Sequence, residues 1–311
     1  MSGAGAGKKS LTKRQMFNDS LGGKSAPRRL AAAAAAFSRS IAHRLHEFAE
    51  RLAQDELYYY DVISRAASMG LDPEVTTASD TTSHLNLRGG HLHGAIIPFR
   101  PESSDLKVFS QICLDQEYRP LIKLIKQRRD EVRYVIDAGA NIGLTTLYLK
   151  RFYPDSTVIA IEPDEGNFAM LERTIEVNGL KDVRCVRAGL WPQDEMLEID
   201  RGFRDHLEWS ITLKRDSEPI DAVEKIKGIS PHRLKKEFEF PRIDILKIDI
   251  EGGERFLFSD AATARQTLDG VRYLALEIHD EFGIRDGIER MLSDNDFVYF
   301  ETGETLFGFR K

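Results

Sequence analysis

The chain has 311 residues, 41% of them hydrophobic, and carries 44 Lys or Arg against 50 Asp or Glu, for a net charge of −6. This length and apolar content suit one large globular domain with an accessory segment. Cys113 and Cys185 are too few and too far apart to predict a disulfide framework. No apolar run is long enough to span a bilayer, so we expect no integral membrane segment and a cytoplasmic location.

Positive charge is concentrated at the start of the chain. Residues 1–46 hold nine Lys or Arg and a single acid, Asp19, which gives +8 and leaves −14 for the rest. An acidic body disfavours a nucleic-acid partner, because phosphate binding needs a basic surface around the site. Residues 1–29 are also rich in small residues, and we predict a disordered basic tail there.

Residues 30–103 are predicted to form an accessory region. Apolar residues recur at helix-like intervals between residues 30 and 69, for example Ile41, Leu45 and Phe48, which predicts a helical extension. Such an extension could mediate oligomerisation, cover an active site or simply pack. The turn-rich stretch 71–103 predicts a linker with a short hairpin over 87–99. The hairpin would place His91 and His93 on one strand face, but no third ligand accompanies them, so we predict no metal site there.

Predicted strands and helices alternate over residues 104–311, which we assign to one α/β domain. The predicted helices cover 108–127, 143–152, 165–178, 219–228 and 284–293. The predicted core strands cover 132–137, 157–161, 183–188, 243–249, 272–278, 297–301 and 305–309, with strands at 193–200 and 209–213 as an insertion. Seven such strands predict a mostly parallel sheet with flanking helices and one antiparallel strand.

A glycine turn follows the first core strand, in the segment Val135-Ile-Asp-Ala-Gly-Ala-Asn-Ile-Gly-Leu-Thr-Thr146. Gly139 and Gly143 would let the backbone approach a ligand where the strand passes into a helix. The dinucleotide fingerprint is Gly-x-Gly-x-x-Gly, and its middle glycine makes room for a pyrophosphate. Asn141 carries a side chain inside this turn, so a pyrophosphate fits poorly. Asp137, at the end of the strand, could contact a ligand or merely cap the helix.

An acidic residue follows the second core strand, within Glu162-Pro-Asp164. It lies about 20 residues beyond the glycine turn, which is the interval at which an acid accepts hydrogen bonds from a ribose diol. A nucleoside without a pyrophosphate fits beside Asn141 in the glycine turn and offers its ribose hydroxyls to the acid. S-adenosylmethionine is such a nucleoside. The turn and the acid therefore fit S-adenosylmethionine, with Glu162 on its ribose, although spacing alone shows only a nucleoside-binding α/β domain.

A third motif, Ile243-Asp-Ile-Leu-Lys-Ile-Asp-Ile-Glu-Gly-Gly-Glu254, is an apolar strand that ends in acids and glycines, and Glu277-Ile-His279 follows it. With the glycine turn and Ile161-Glu-Pro163, this succession resembles the FkbM family of S-adenosylmethionine-dependent methyltransferases over roughly residues 105–311. The resemblance implies a class I methyltransferase (Rossmann-like) sheet. It also implies O-methylation of a hydroxyl on a small molecule or glycan.

Residues that follow the strands are the candidates for the site, since ligands of open α/β sheets lie beyond the carboxyl ends of the strands. A hydroxyl acceptor must lose a proton, and we predict His279 as the general base, with Asp249 second and Glu277 orienting the histidine. The acids of the third motif could bind the cofactor ammonium or hold a divalent cation, and we favour the ammonium and predict no metal. The predicted cofactor-binding residues are Asp137, Gly139, Asn141, Gly143, Glu162, Asp249 and Glu251.

Two points stay open in the sequence. Trp191 and Phe168 could each wall the adenine pocket, or could equally belong to the core. The competing functions are an NAD-dependent oxidoreductase, which Asn141 disfavours, and a cofactor-binding protein without turnover. The sequence does not identify the acceptor, because loops and the accessory region would build its pocket.

Overall fold

The computed structural model describes residues 57–79, 81–101, 103–200, 212–215 and 224–311. The predicted basic tail and the helical extension before residue 57 lie outside the described residues. Asp61–Lys311 forms one compact unit. No helix among the described residues is long and apolar enough to cross a membrane.

The accessory region contains a small antiparallel sheet. A helix, α1, covers residues 57–68, and the strands β1 (Pro73–Thr77), β2 (Ser83–Leu87) and β3 (Ile96–Phe99) follow in the order β1-β2-β3. The linker predicted for 71–103 therefore contains three paired strands. The two histidines do not share a strand face, because a 3₁₀ turn (Gly90–Leu92) takes up the position of the predicted strand. Gly90 and Gly94 have positive φ angles, which a strand does not accommodate.

The helix predicted for 108–127 is two helices. Helix α2 (Asp105–Phe109) continues as one π-helical turn (Ser110–Leu114), and α3 (Arg119–Arg128) starts after a break. Gln116 lies in the break with φ of 52°, in the left-handed region. Pro120 then occupies the first turn of α3, where its missing N–H costs no hydrogen bond.

The first half of the central sheet agrees with the sequence-based prediction. It consists of β4 (Tyr134–Ala138), α4 (Leu144–Phe152), β5 (Thr157–Ile161), α5 (Glu165–Val177) and β6 (Val183–Val186). The three strands are parallel neighbours. The buried residues of β4 and β5 are almost continuous, as expected for strands covered by helices on both faces.

An inserted sheet interrupts the alternation. It contains β7 (Gly189–Leu190), β8 (Met196–Asp200), β9 (Thr212–Arg215) and β10 (Lys225–Ile229), in the order β7-β10-β8-β9. The helix predicted over 219–228 is wrong at residues 225–228, which belong to β10, and residues 219–223 lie outside the described part of the chain. Polar and buried residues alternate from Lys225 to Gly228, which is the period of a strand and not of a helix.

The second half of the central sheet completes the predicted fold. It consists of α6 (Pro231–Glu237), β11 (Ile243–Ile248), α7 (Glu254–Leu257), α8 (Ala261–Thr267), β12 (Val271–Glu277), α9 (Arg285–Asp294), β13 (Phe297–Thr302) and β14 (Thr305–Arg310). The strand order is β13-β14-β12-β11-β4-β5-β6. Only β14 runs antiparallel to its neighbours in this sheet of the described chain. The predicted seven-stranded, mostly parallel sheet of the class I methyltransferase type is therefore confirmed.

Candidate active site

A cleft lies at the carboxyl edge of the sheet, where β4, β5, β11 and β12 end. We call it the strand-end cleft and define it by Glu117, Gly139, Asn141, Glu162, Lys247, Asp249, Glu251 and Glu277, which line it with other residues. Five of the predicted site residues line this cleft: Gly139, Asn141, Glu162, Asp249 and Glu251. Asp137, Gly143 and His279 are buried and are not among its lining residues.

The glycine turn forms the floor of the cleft. Gly139 has φ of 77°, and a Cβ atom placed on it would lie 1.7 Å from the carbonyl oxygen of Asp249. No side chain fits there, because β4 and β11 converge at this point. Asn141 also adopts a left-handed φ of 50°, and its side-chain oxygen accepts a hydrogen bond from the Ile142 amide at 2.7 Å. The side chain thus stabilises the strained turn locally.

Gly143 and Asp137 support the turn from behind. A Cβ atom on Gly143 would lie 2.8 Å from Leu171 Cδ1, so the absence of a side chain lets the turn pack on α5. Asp137 is fully buried and accepts a hydrogen bond from the Thr146 hydroxyl at 2.6 Å. Thr146 belongs to α4, so Asp137 ties the strand end to the helix that follows it.

Glu162 braces the turn from the end of β5. One carboxylate oxygen accepts a hydrogen bond from the Asn141 amide at 2.8 Å, and the other accepts one from the Asp164 amide at 2.9 Å. Burial raises the pKa of Glu162 to about 7, although these two hydrogen bonds favour the ionised form. The carboxylate lines the cleft and keeps further lone pairs for a ligand.

Lys247 is a component of the site that the sequence-based analysis missed. It lies in β11, whose six residues are all buried, and its ammonium donates to the carbonyl oxygen of Gly139 at 2.7 Å. It also lies 3.2 Å from Asp249 Oδ2 and 3.6 Å from Asp137 Oδ1. Burial would lower the pKa of Lys247, but the two carboxylates outweigh it and raise that pKa. A lysine among the isoleucines and the leucine of this strand was the available signal in the sequence.

His279 lies at the end of β12 between carboxylates. Its ring Nδ1 donates to Glu254 Oε1 at 2.8 Å, and its Nε2 lies 3.2 Å from Glu251 Oε2 and 3.8 Å from Glu277 Oε1. Burial would lower the pKa of His279, but Glu251 and Glu254 raise it to about 11. A general base needs an unprotonated ring nitrogen that reaches the substrate. His279 therefore stays a prediction in that role, and the carboxylates around its ring favour the protonated form.

Two further carboxylates on the cleft differ in their surroundings. Burial raises the pKa of Glu277 to about 9, and the nearby Asp249 adds to the shift. Glu117, which precedes α3, also has a raised pKa because of burial, and it accepts a hydrogen bond from the Thr305 hydroxyl. Glu117 was missed as well, since only the fold brings this loop over the strand ends.

The cleft carries an excess of negative charge. Among its described lining residues, Lys247 is the single cation, against six carboxylates, namely Glu117, Glu162, Asp249, Glu251, Glu277 and Glu304. Such a surface favours a ligand with positive charge and disfavours a pyrophosphate.

The two aromatic candidates for an adenine wall belong to apolar clusters. Trp191 is fully buried with Leu197 and Ile199 of the inserted sheet, and its ring centroid lies 4.3 Å from that of Phe256. Phe168 packs on a cluster that includes Leu171. Neither is among the described residues that line the cleft.

Comparison with known proteins agrees with this geometry. The family described as "Methyltransferase FkbM domain" matches residues 137–299. "Methyltransferase sdnD" of Sordaria araneosa is 30% identical over 195 residues, which cover 53% of this chain and 73% of the relative. "Methyltransferase 1" of Beauveria bassiana is 28% identical over 143 residues, which cover 39% of this chain and about half (55%) of the relative.

A methyltransferase from Geobacter sulfurreducens of known crystal structure is 19% identical, with a TM-score of 0.37, and the match covers 63% of this chain and 80% of that one. The family match spans the glycine turn, Glu162, the β11 motif and His279. This chain therefore belongs to the FkbM methyltransferase family.

Proposed function

We propose that the strand-end cleft binds S-adenosylmethionine and that the enzyme transfers its methyl group to a hydroxyl of a small molecule or glycan. One observation carries the proposal: a buried carboxylate, Glu162, faces the same cleft as the convergent glycine turn. A ribose diol needs such an acceptor, and Gly139, which also lines the cleft, presents backbone without a side chain to a nucleoside.

The charge of the cleft supports the same cofactor. S-adenosylmethionine has an ammonium, a sulfonium and one carboxylate, so its net charge is positive and complements an acid-lined cleft. In this arrangement Glu162 accepts hydrogen bonds from the ribose hydroxyls, and Glu251 accepts them from the ammonium. NAD, by contrast, would place a pyrophosphate beside six carboxylates and against the side chain of Asn141.

Methyl transfer from a sulfonium is an in-line displacement, so placing the two reactants and excluding water supply most of the acceleration. The acceptor hydroxyl must also release its proton. We assign that proton to Asp249, whose side chain is 30% exposed at the cleft and is held by Lys247. His279 acts behind it as a positioning residue for Glu251 and Glu277. Oligomerisation through the N-terminal helices stays one of three alternatives for that region, and the cytoplasmic location stays a prediction.

A transfer assay tests the choice of acceptor. The enzyme is incubated with S-adenosylmethionine labelled in its methyl group and with matched hydroxyl, amine and thiol acceptors on the same sugar and polyketide-like frames. We expect label in ether-linked methyl groups, detected by NMR, and at least a tenfold loss of rate in Asp249→Asn. Label on nitrogen or sulfur alone would contradict the hydroxyl assignment.

A further inference from the structure

We propose that Asp249, Glu277 and His279 bind a divalent transition-metal cation at the carboxyl ends of β11 and β12. One ligand atom from each residue lies within 4.8 Å of the other two. A cation about 2.1 Å from each atom requires separations of at most about 4.2 Å. Small side-chain rotations therefore close the site, without movement of the strands.

His279 is oriented as a metal ligand would be. The carboxylate of Glu254 accepts from both the ring Nδ1, at 2.8 Å, and the backbone amide of His279, at 3.0 Å. Both side chains are fully buried. Metal-bound histidines almost always donate their second ring N–H to a carboxylate or carbonyl, which fixes the tautomer and points the other nitrogen at the metal.

The ring nitrogen on the other side has no hydrogen-bond partner among the described residues, although it is buried. The nearest carboxylate oxygen, on Glu251, lies 3.2 Å away, which is ion-pair distance if the ring is protonated. A buried polar atom without a partner costs free energy, and a cation between His279 and the two acids would remove that cost. The unpartnered ring nitrogen and the cluster of carboxylates are two separate observations, and both point to a bound ligand.

The donor set points to the class of cation. One imidazole nitrogen and two carboxylates suit Mn²⁺, Fe²⁺, Co²⁺ or Zn²⁺ better than Ca²⁺, which prefers oxygen ligands alone. The acid excess of the cleft favours any divalent cation electrostatically. The competing explanation is an imidazolium that bridges Glu251 and Glu254 and needs no metal, and the test separates the two.

The test is a titration of untagged, metal-free, full-length protein with Mn²⁺, followed by loss of the free-ion EPR signal. The variants are Glu277→Gln, which keeps the shape of the side chain, His279→Ala and Glu254→Gln. The control is His232→Ala, which removes an exposed histidine of α6. Circular dichroism establishes that each variant is folded, and Co²⁺ absorption provides a second probe of the ligand set.

We expect one tight Mn²⁺ per wild-type chain, with affinity at least tenfold weaker in Glu277→Gln and His279→Ala. Glu254→Gln should weaken binding by about 10–100-fold, because it acts through the histidine. His232→Ala should bind as the wild type does. Folded wild-type protein that binds neither Mn²⁺ nor Co²⁺, or Glu277→Gln that binds with unchanged affinity, would overturn the site.

The metal site itself does not depend on the proposed function. Only its role does: the cation would lower the pKa of a bound acceptor hydroxyl, and this role rests on the proposed function. Titration of S-adenosylmethionine into the same samples keeps the two claims apart. Cofactor binding without Mn²⁺ binding would overturn the metal site and leave the function standing. Mn²⁺ binding without cofactor binding would do the reverse.

Discussion

Buried titratable side chains perform two tasks at the cleft: they hold the backbone in place and they present charge to a ligand. Glu162 braces the glycine turn through the Asn141 amide while lining the cleft. Lys247 holds the Gly139 carbonyl while neutralising Asp249. Because each group lies out of water, its charge state responds strongly to its neighbours.

Cofactor affinity should depend on pH through Glu162. The ionised carboxylate is the better acceptor for ribose hydroxyls, and burial raises its pKa to about 7. Affinity should therefore increase as the pH rises through 7, by about tenfold between pH 6 and pH 8. Calorimetric titration of S-adenosylmethionine at several pH values measures this dependence. Glu162→Gln should remove it, whereas Glu304→Gln, at the exposed rim, should keep it; an unchanged slope in Glu162→Gln would refute the assignment.

Lys247→Met should destabilise the fold by about 3–5 kcal/mol, because it leaves buried carboxylates without their cation. Adding Asp137→Asn to Lys247→Met should restore about 1–3 kcal/mol of the free energy of unfolding, since Asp137 is the fully buried carboxylate beside Lys247. Urea unfolding of the single and double variants measures both quantities. Lys227→Met, which removes an exposed lysine of β10, serves as the control and should change stability little. No recovery in the double variant would speak against the coupling.

At the scale of elements, convergence of β4 and β11 shapes the cleft. The central strands were predictable because their apolar runs, glycine turns and terminal acids are local features of the sequence. Strand β10 was not predicted, because polar and buried residues alternate over only a few residues, Lys225 to Ile229. With the residues before it, this segment also fits a helical pattern. The partners of Lys247 and Glu117 were not predictable, since Gly139 and Thr305 lie 108 and 188 residues away in sequence.

Gly139→Ala tests the convergence of the two strands. The added methyl group would meet the Asp249 carbonyl oxygen at 1.7 Å, so the strands must separate. We expect a loss of about 3 kcal/mol or more in the free energy of unfolding. Gly179→Ala is the matched control, because Gly179 also has a positive φ but nothing lies within 4 Å of its added Cβ. It should cost about 1 kcal/mol, and equal losses at the two positions would disprove the close approach.

At the scale of the whole molecule, the sheet gathers segments that are far apart in sequence onto one edge. Residues of the α2–α3 region and of four strand ends line a single cleft. Membership of the FkbM family indicates methyl transfer as the reaction class. The geometry of the cleft supports the proposal that S-adenosylmethionine is the cofactor. The acceptor depends on loops and on the region before residue 57, where sequence patterns carry little information about a pocket.

Calorimetric titration of S-adenosylmethionine into the folded, full-length protein tests the central claim most directly, with Glu162→Gln, Glu304→Gln and NAD as comparisons. We predict one cofactor per chain, affinity at least tenfold weaker in Glu162→Gln, and no binding of NAD. Glu304→Gln should weaken affinity by about twofold at most, because solvent screens its exposed charge. Absence of S-adenosylmethionine binding to the folded wild type, or equal binding by Glu162→Gln, would contradict the strand-end cleft as the cofactor site.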